Sequence, residues 1–392
     1  MAVLLYKLFF GGFFDMTKNK HFDIDTLLAQ AGNRDNHDQF HSISTPIYLS
    51  SNFRHRDLED VENFDPEKQY SYSRLSTPTR KVLQETLAKL EDGAKAFAVS
   101  SGMAAIQLVF SLFNSGDEII TSDDLYGGSF RYFDYLTEHY GIKFNKWDGK
   151  RYDTLSSLIT PHTKAVWIET PSNPTMKVIN IQKVADIAHS SNSNILVCVD
   201  NTFLTPIYQQ PIREGADIVV HSATKYLSGH NDMLAGAVIA KSEEIGETLE
   251  FNFNTTGVTL DPFDSWLLLR SLKTLSVRMQ RHTSNATYVA ASLAKLPQVE
   301  KVLYPGQGGM ISFYVQSRDQ VDRLFKRLNI ISFAESLGGV ESLLTIPSLQ
   351  THRDMAKADR LKLGITDELL RLSVGLENPE DLAEDLKQAL GD

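Results

Sequence analysis

The run His221-Ser222-Ala223-Thr224-Lys225-Tyr226-Leu227-Ser228-Gly229-His230-Asn231-Asp232 follows an apolar stretch, Ile218 to Val220, that reads as a buried strand. It sets one lysine just past the strand's end, with two hydroxyls beside it. A lysine there gains little from packing. Held in a polar pocket, with its pKa lowered by desolvation and neighbours, its amine can form a Schiff base with an aldehyde. The hydroxyls of Ser222 and Thr224 can hydrogen-bond a phosphate. An aldehyde and a phosphate carried by one molecule point to pyridoxal phosphate (PLP).

Three further features sit at other strand ends. Ser101-Gly102-Met103 lies at a strand-to-helix turn, where free N–H groups and the helix dipole suit a phosphate. A glycine at such a turn also serves geometry alone. Asp200 closes the apolar run Ile195 to Val199, and a carboxylate at a strand's carboxyl end faces the crevice where α/β proteins bind ligands. It can keep a pyridinium nitrogen protonated, which makes the ring an electron sink; an Asx-turn is the plainer role. Tyr126, in Asp-Leu-Tyr-Gly-Gly-Ser, can stack on a cofactor ring or simply pack.

The elements that must position these residues alternate. Residues 17 to 75 are polar and turn-rich and read as an extended arm. Thr79 to Leu90 has helical apolar spacing ending at Gly93; Ala96 to Val99 is a strand; Met103 to Phe113 is an apolar helix. Strand candidates recur at Glu118 to Thr121, Lys143 to Lys146, Ala165 to Glu169, Ile195 to Asp200 and Asp217 to His221, with helices such as Ile181 to Ser190 between most of them. This alternation predicts an α/β fold with a mostly parallel sheet covered on both faces. After Pro262 the texture shifts to one or two long helices (Phe263 to Leu296). Short candidates follow at Val299 to Tyr304, Met310 to Val315, Asp319 to Leu328, Leu370 to Val374 and Pro379 to Leu390, a smaller α+β domain. The expected division is an N-terminal tail and arm over 1–75, a large domain over 76–261 and a small C-terminal domain over 262–392.

The chain has 392 residues, 42% hydrophobic and 22% charged, as an ordinary enzyme of two domains would. Net charge of −10 argues against nucleic-acid or acidic-membrane partners. The single cysteine, Cys198, sits in an apolar strand, so a reducing compartment, the cytoplasm, is expected. Met1 to Phe14 is apolar and unpatterned, too short to span a bilayer and a poor signal peptide, and is expected to be an over-extended start or disordered tail. His221, His230 and Asp232 match no metal-ligand spacing, so no metal is expected. Arg131, one helical turn past Tyr126, can steer an anionic tail or cap a helix.

Across residues 24 to 392 the chain resembles the Cys/Met-metabolism PLP enzymes: cystathionine γ-synthases, cystathionine β- and γ-lyases and O-acylhomoserine sulfhydrylases. The matching stretches are Tyr-Ser-Arg-Leu-Ser-Thr-Pro-Thr-Arg (72–80), Ser-Ser-Gly-Met-Ala-Ala (100–105), Asp-Leu-Tyr-Gly-Gly (124–128), Glu-Thr-Pro-Ser-Asn-Pro (169–174), Asp-Asn-Thr-Phe (200–203), Ser-Ala-Thr-Lys-Tyr-Leu (222–227), Glu-Ser-Leu-Gly-Gly-Val-Glu-Ser (335–342) and Arg-Leu-Ser-Val-Gly (371–375). The resemblance implies PLP-dependent transferase fold type I, similar to aspartate aminotransferase. It implies that Lys225 carries the Schiff base and shuttles protons, Asp200 pairs with the ring nitrogen and Tyr126 stacks on the ring. Ser101, Gly102 and Met103, with Ser222 and Thr224, would hold the phosphate; Asn173 would approach the ring's phenolic oxygen or the substrate carboxylate, and Thr202 would line the ring. Arg371 would grip the substrate carboxylate as a bidentate fork, beside Ser336 and Asn173. Tyr72 and Arg74 would reach the phosphate of a neighbouring subunit, with Tyr72 also near its substrate, so a homotetramer with shared active sites is implied.

Two places depart from the family's usual form. Ser76-Thr77-Pro78 stands where many members have Gly-Asn before the proline, and Tyr304-Pro305-Gly306-Gln307-Gly308-Gly309-Met310 is shortened. A similar shortening occurs in the cystathionine γ-synthase/O-acetylhomoserine thiolyases of Gram-positive bacteria, the group this chain most resembles. Glu335 is the position expected to discriminate the reaction: members acting at Cγ often carry Glu there, and a carboxylate can bind the amino group of incoming cysteine, although an exposed loop glutamate needs no such role. The expected reaction is γ-replacement on an O-acetyl- or O-succinylhomoserine by cysteine or sulfide. Cystathionine β- or γ-cleavage is the alternative; a non-catalytic PLP-fold binding protein is the alternative from another class. A Rossmann dehydrogenase is disfavoured, because no Gly-x-Gly-x-x-Gly follows a first strand.

Overall fold

The computed structural model describes residues 22–33, 38–66 and 68–391; the apolar run Met1 to Phe14 lies outside them. Seven strands form one sheet: β1 (Lys95–Val99), β2 (Glu118–Ser122), β3 (Lys143–Trp147), β4 (Thr163–Glu169), β5 (Leu196–Asp200), β6 (Ile218–His221) and β7 (Gly236–Ala240). Their order is β1-β7-β6-β5-β4-β2-β3. The strands from β3 across to β6 run parallel, and β7 runs antiparallel between β6 and β1. The sequence pattern gave no sign of β7. It is five small or apolar residues, Gly-Ala-Val-Ile-Ala, all buried, and a run that short has no period to read.

Both sheet faces are covered, which is why strands such as Leu-Val-Cys-Val-Asp are apolar nearly throughout. The helix Pro78–Glu91 packs on one face with Val219, Ala237 and Ile239. The helix Gly102–Phe110 packs on the other with Ile218, Val220 and Val238. Thr77 caps the first of these helices through its side chain, and proline opens it, where its missing N–H costs nothing.

Five strands form a second sheet: β8 (Val299–Leu303), β9 (Met310–Val315), β10 (Ser332–Phe333), β11 (Leu343–Thr345) and β12 (Leu369–Ser373), in the order β10-β11-β12-β9-β8. The long helical stretch is two helices, Pro262–Leu272 and Leu275–Leu293. Among the described residues before Pro78, the helices are the short Ile24–Ala29 and Leu58–Glu62. Among the described residues no helix is long and apolar enough to cross a membrane.

Candidate active site

A cavity of about 190 Å³ opens at the carboxyl ends of the parallel strands, where the second sheet meets the first. Its walls include Ser101, Gly102, Met103, Tyr126, Asn173, Asp200, Thr202, Ser222, Thr224 and Lys225 from the large sheet's loops. Glu335, Ser336 and Arg371 come from the smaller one. Tyr72 and Arg74 are not among its lining residues. Tyr72 is 47% exposed, and the Arg74 guanidinium lies 5.6 Å from its ring centroid and donates to the Asn254 carbonyl.

One wall of the cavity is a helix start. The Ser101 hydroxyl caps the helix by accepting the Ala104 N–H at 3.0 Å; among the described residues the N–H groups of Gly102 and Met103, in the first turn, have no partner, and Ser222 lines the cavity beside them. Glycine is needed at 102: a Cβ there would lie 2.8 Å from Ser222 Cβ. The Thr224 hydroxyl is already engaged, donating to the Ala235 carbonyl and accepting the Ala235 N–H, both at 3.0 Å. Thr224 therefore fixes the lysine loop as well as lining the cavity.

Another wall is acidic. Asp200, in the cavity wall, accepts through Oδ1 from the Thr202 N–H at 3.0 Å and the Thr202 hydroxyl at 2.5 Å. Thr202 Oγ1 in turn accepts the Ser222 N–H at 2.8 Å, tying the two strand ends together. Glu169 stands in register with Asp200 on the neighbouring strand. It accepts from the Tyr126 N–H at 2.8 Å and the Ser129 hydroxyl at 3.1 Å. Burial, with the charge of Asp200 adding to it, pushes the Glu169 carboxyl well above its usual range. Burial raises Asp200 too, but both Thr202 hydrogen bonds and His221 pull it back. Of the two carboxyls, Glu169 is the one pushed further toward its protonated form.

Lys225 donates from Nζ to Ser336 Oγ at 2.9 Å. Burial pushes its amine down to about 8; Arg371 adds to this and Glu335 opposes it. Arg371 is buried and donates to Asn173 Oδ1 at 3.0 Å, the Ser336 carbonyl at 3.0 Å and Thr345 Oγ1 at 3.2 Å. Burial lowers it to about 10, so it is charged at neutral pH. Tyr126 begins the helix Gly127–Tyr140 with its ring over the cavity, and a Cβ on Gly128 would strike that ring at 2.4 Å.

The cavity thus offers helix-start N–H donors, the carboxyl of Asp200, and an amine with a lowered pKa in one enclosure. A ring with a phosphate, a basic nitrogen and an aldehyde fits this donor set. Among the described residues no cluster of three His, Cys, Asp or Glu could hold a metal. His221 instead pairs with Glu91, and Arg131 with Asp354 at the surface. Sequence reasoning assigned no role to Glu169, although the rule that singled out Asp200, a carboxylate closing a buried strand, applies equally to it. Thr351 also lines the cavity, from an irregular segment that offers no periodicity to read.

Residues 25–391 match the family described as Cys/Met metabolism PLP-dependent enzyme. The chain is 50% identical over 367 residues to the cystathionine γ-synthase/O-acetylhomoserine (thiol)-lyase of Bacillus subtilis (strain 168), covering 94% of this chain and 96% of that one. It is 43% identical to a cystathionine γ-lyase of the same organism, over 89% of this chain and 94% of the other. A solved structure of cystathionine γ-synthase from Xanthomonas oryzae pv. oryzae, in complex with aminoacrylate and cysteine, superposes with a TM-score of 0.89 at 37% identity, covering 95% of this chain and 98% of that one.

Proposed function

We infer the reaction from one premise: the chain belongs to the Cys/Met metabolism PLP-dependent enzymes, and PLP is its cofactor. The reading best supported is γ-replacement, in which an O-acetyl- or O-succinylhomoserine reacts with cysteine to give cystathionine, or with sulfide to give homocysteine. The observation that carries it is the place of Glu335, a free carboxylate in the wall of the cavity that also holds Lys225 and Arg371. The 50% identity to a γ-synthase/thiol-lyase points the same way.

When bound, PLP supplies an electron sink for the pair left as the α-proton departs. The other steps fall to the chain's own residues. Gly102, Met103 and Ser222 bind the phosphate, with Ser101 and Thr224 fixing the turn and loop around it. Asp200 would hold a proton on the ring nitrogen, with Thr202 keeping its Oδ1 in place. Tyr126 covers the ring. Arg371 grips the substrate carboxylate, oriented by Asn173 and the Ser336 carbonyl. Lys225 Nζ, its pKa lowered to about 8, would move protons one at a time: it takes the Cα proton and gives it up before taking one from Cβ, and a proton returns to each carbon once the thiol has added. The acyl group leaves Cγ with its oxygen, and the thiol sulfur bonds to the same carbon while Glu335 holds the ammonium of the incoming cysteine.

Cystathionine cleavage is the second reading, favoured by the 43% identity to a γ-lyase and by a site equally able to bind the product. Steady-state turnover on O-acylhomoserines with cysteine or sulfide, set against cystathionine alone, separates the two. Strong cystathionine cleavage with no O-acylhomoserine turnover overturns the γ-replacement reading.

We assign Tyr72 and Arg74 to the site of a second copy, within a homotetramer. They lie outside this chain's own cavity, on an arm that exposes Phe40, Ile43, Leu49 and Leu58. Light scattering on the purified protein tests this; a monomer would refute it. A cytoplasmic location is consistent with the one free, buried thiol, Cys198.

A further inference from the structure

Asp200 and the lysine loop reach the cavity from the ends of two adjacent strands, β5 and β6. On the cavity side these ends are joined by Thr202, which accepts the Ser222 N–H and donates to Asp200. On the opposite face of the sheet they are joined a second time, by a residue in no contact with the cavity. Glu91 is the last residue of the helix Pro78–Glu91 and is 1% exposed. Its Oε1 contacts His221 Nε2 at 2.7 Å, at the end of β6. The same oxygen accepts from Asn201 Nδ2 at 2.9 Å, the residue that follows Asp200. Asn201 Nδ2 also donates to the Gln209 carbonyl at 2.9 Å, and its N–H to the Val220 carbonyl at 2.9 Å.

Glu91 Oε2, His221 Nδ1 and Asn201 Oδ1 are buried and have no other partner among the described residues. The cluster's hydrogen bonding is therefore concentrated on one carboxylate oxygen. A buried acid is costly to keep, and a leucine or methionine at the end of an amphipathic helix would serve packing as well. What Glu91 adds is a rigid length: two bonds to one atom fix the distance between the residue after Asp200 and the residue before Ser222.

We propose that Glu91 is a positioning residue that sets the spacing between Asp200 and Lys225 by clamping the ends of β5 and β6 from the far side of the sheet. The proposal rests on the assignment of Asp200 and Lys225 made above. The acceptor oxygen is what matters, so Glu91→Gln, which keeps it, preserves the clamp, whereas Glu91→Met, of similar volume, removes it.

The test uses purified holoenzyme of both variants. Visible circular dichroism of the bound cofactor reads ring orientation, and titration of each apoenzyme with PLP reads affinity. Glu91→Gln is expected to match the wild type in both. Glu91→Met is expected to change the dichroic band and lower kcat by about a hundredfold with KM little altered, the scale of a displaced reacting group. A purely structural role would lower the melting temperature and leave the dichroism and the kcat-to-KM split unmoved; that result overturns the proposal. So does equal impairment of both variants. Should Glu91→Met fail to fold, Asn201→Ala, which removes one arm only, is expected to give the same spectroscopic change; a wild-type spectrum there overturns the proposal. Borohydride fixation and peptide mapping run in parallel: a pyridoxyl label away from Lys225 sinks the site assignment itself, while a label on Lys225 with a wild-type Glu91→Met sinks only the clamp.

Discussion

Lys225 Nζ donates to Ser336 Oγ at 2.9 Å, so the amine on a loop of the seven-stranded sheet is held by a hydroxyl from the five-stranded one. Ser336 pays for that position with its backbone: its φ is +86°, in the left-handed region that a side chain disfavours. Arg371 grips the Ser336 carbonyl at 3.0 Å and helps to keep it there. The lysine's tether and the carboxylate grip are thus one connected structure.

Ser336→Gly separates the strain from the tether. Glycine adopts the same φ freely, so the denaturant midpoint is expected to rise, by about 1 kcal/mol of stability. The lysine loses its hydroxyl partner, so kcat is expected to fall. Ser336→Ala should lower kcat without the gain in stability. If both variants turn over as the wild type does, the hydrogen bond has no part in the reaction.

The lowered pKa of Lys225 gives a signed dependence on pH. Burial, aided by Arg371, brings the folded amine from its ordinary 10.5 to about 8. Between those values the unfolded chain holds a proton that the folded apoenzyme does not. Stability contributed at this site therefore rises with pH across the window, and below about 8 the folded state carries the full cost of a buried charge. The melting temperature of wild-type apoenzyme, taken as a difference from Lys225→Met, is expected to climb between pH 8 and 10.5. A flat difference would place the amine in water.

The residues proposed to bind were more legible in the sequence than the contacts that hold them in place. Lys225, Asp200, Tyr126 and Gly102 stand beside strand ends, and strand ends can be read from apolar runs. Their supports lie far off in sequence. Ser336 is 111 positions from Lys225, and Glu169 is 43 from Tyr126. Such pairings are set by strand order, and the order β6-β5-β4-β2 does not follow the chain. β7 went unseen for the same reason: its buried Gly-Ala-Val-Ile-Ala becomes a strand because β1 and β6 flank it. The helix starts, by contrast, were marked locally, by Thr77-Pro78 and by Ser101-Gly102.

Gly102→Ala tests the phosphate end. The added methyl would lie 2.8 Å from Ser222 Cβ and 3.0 Å from its Cα, and the latter is backbone that cannot swing away. The helix start must shift and carry its two open N–H groups with it. PLP affinity of the apoenzyme, titrated by visible absorbance, is expected to fall about tenfold, near the worth of one hydrogen bond. Combining it with Ser222→Gly removes the 2.8 Å contact with Cβ and leaves the one with Cα at 3.0 Å, so the double variant should recover part of the loss relative to Ser222→Gly alone. A double variant weaker by the full tenfold would mean that the clash is not the cause.

Glu335 is felt at two sites at once, since its charge raises the pKa of both Lys225 and Arg371. Removing it has two separable consequences. In Glu335→Ala the Lys225 amine loses its one opposing influence and is expected to titrate below about 8, measured by the pH dependence of reductive methylation at that lysine. An incoming cysteine loses the carboxylate that holds its ammonium, so KM for cysteine is expected to rise about tenfold. Sulfide carries no ammonium, so its KM should hardly change. Glu335→Gln keeps a hydrogen-bond acceptor without the charge and should fall between the two. The contrast between the two thiol donors decides the matter: equal losses for cysteine and sulfide would assign Glu335 to the lysine's electrostatics alone, and no loss for either would leave it a solvated loop residue.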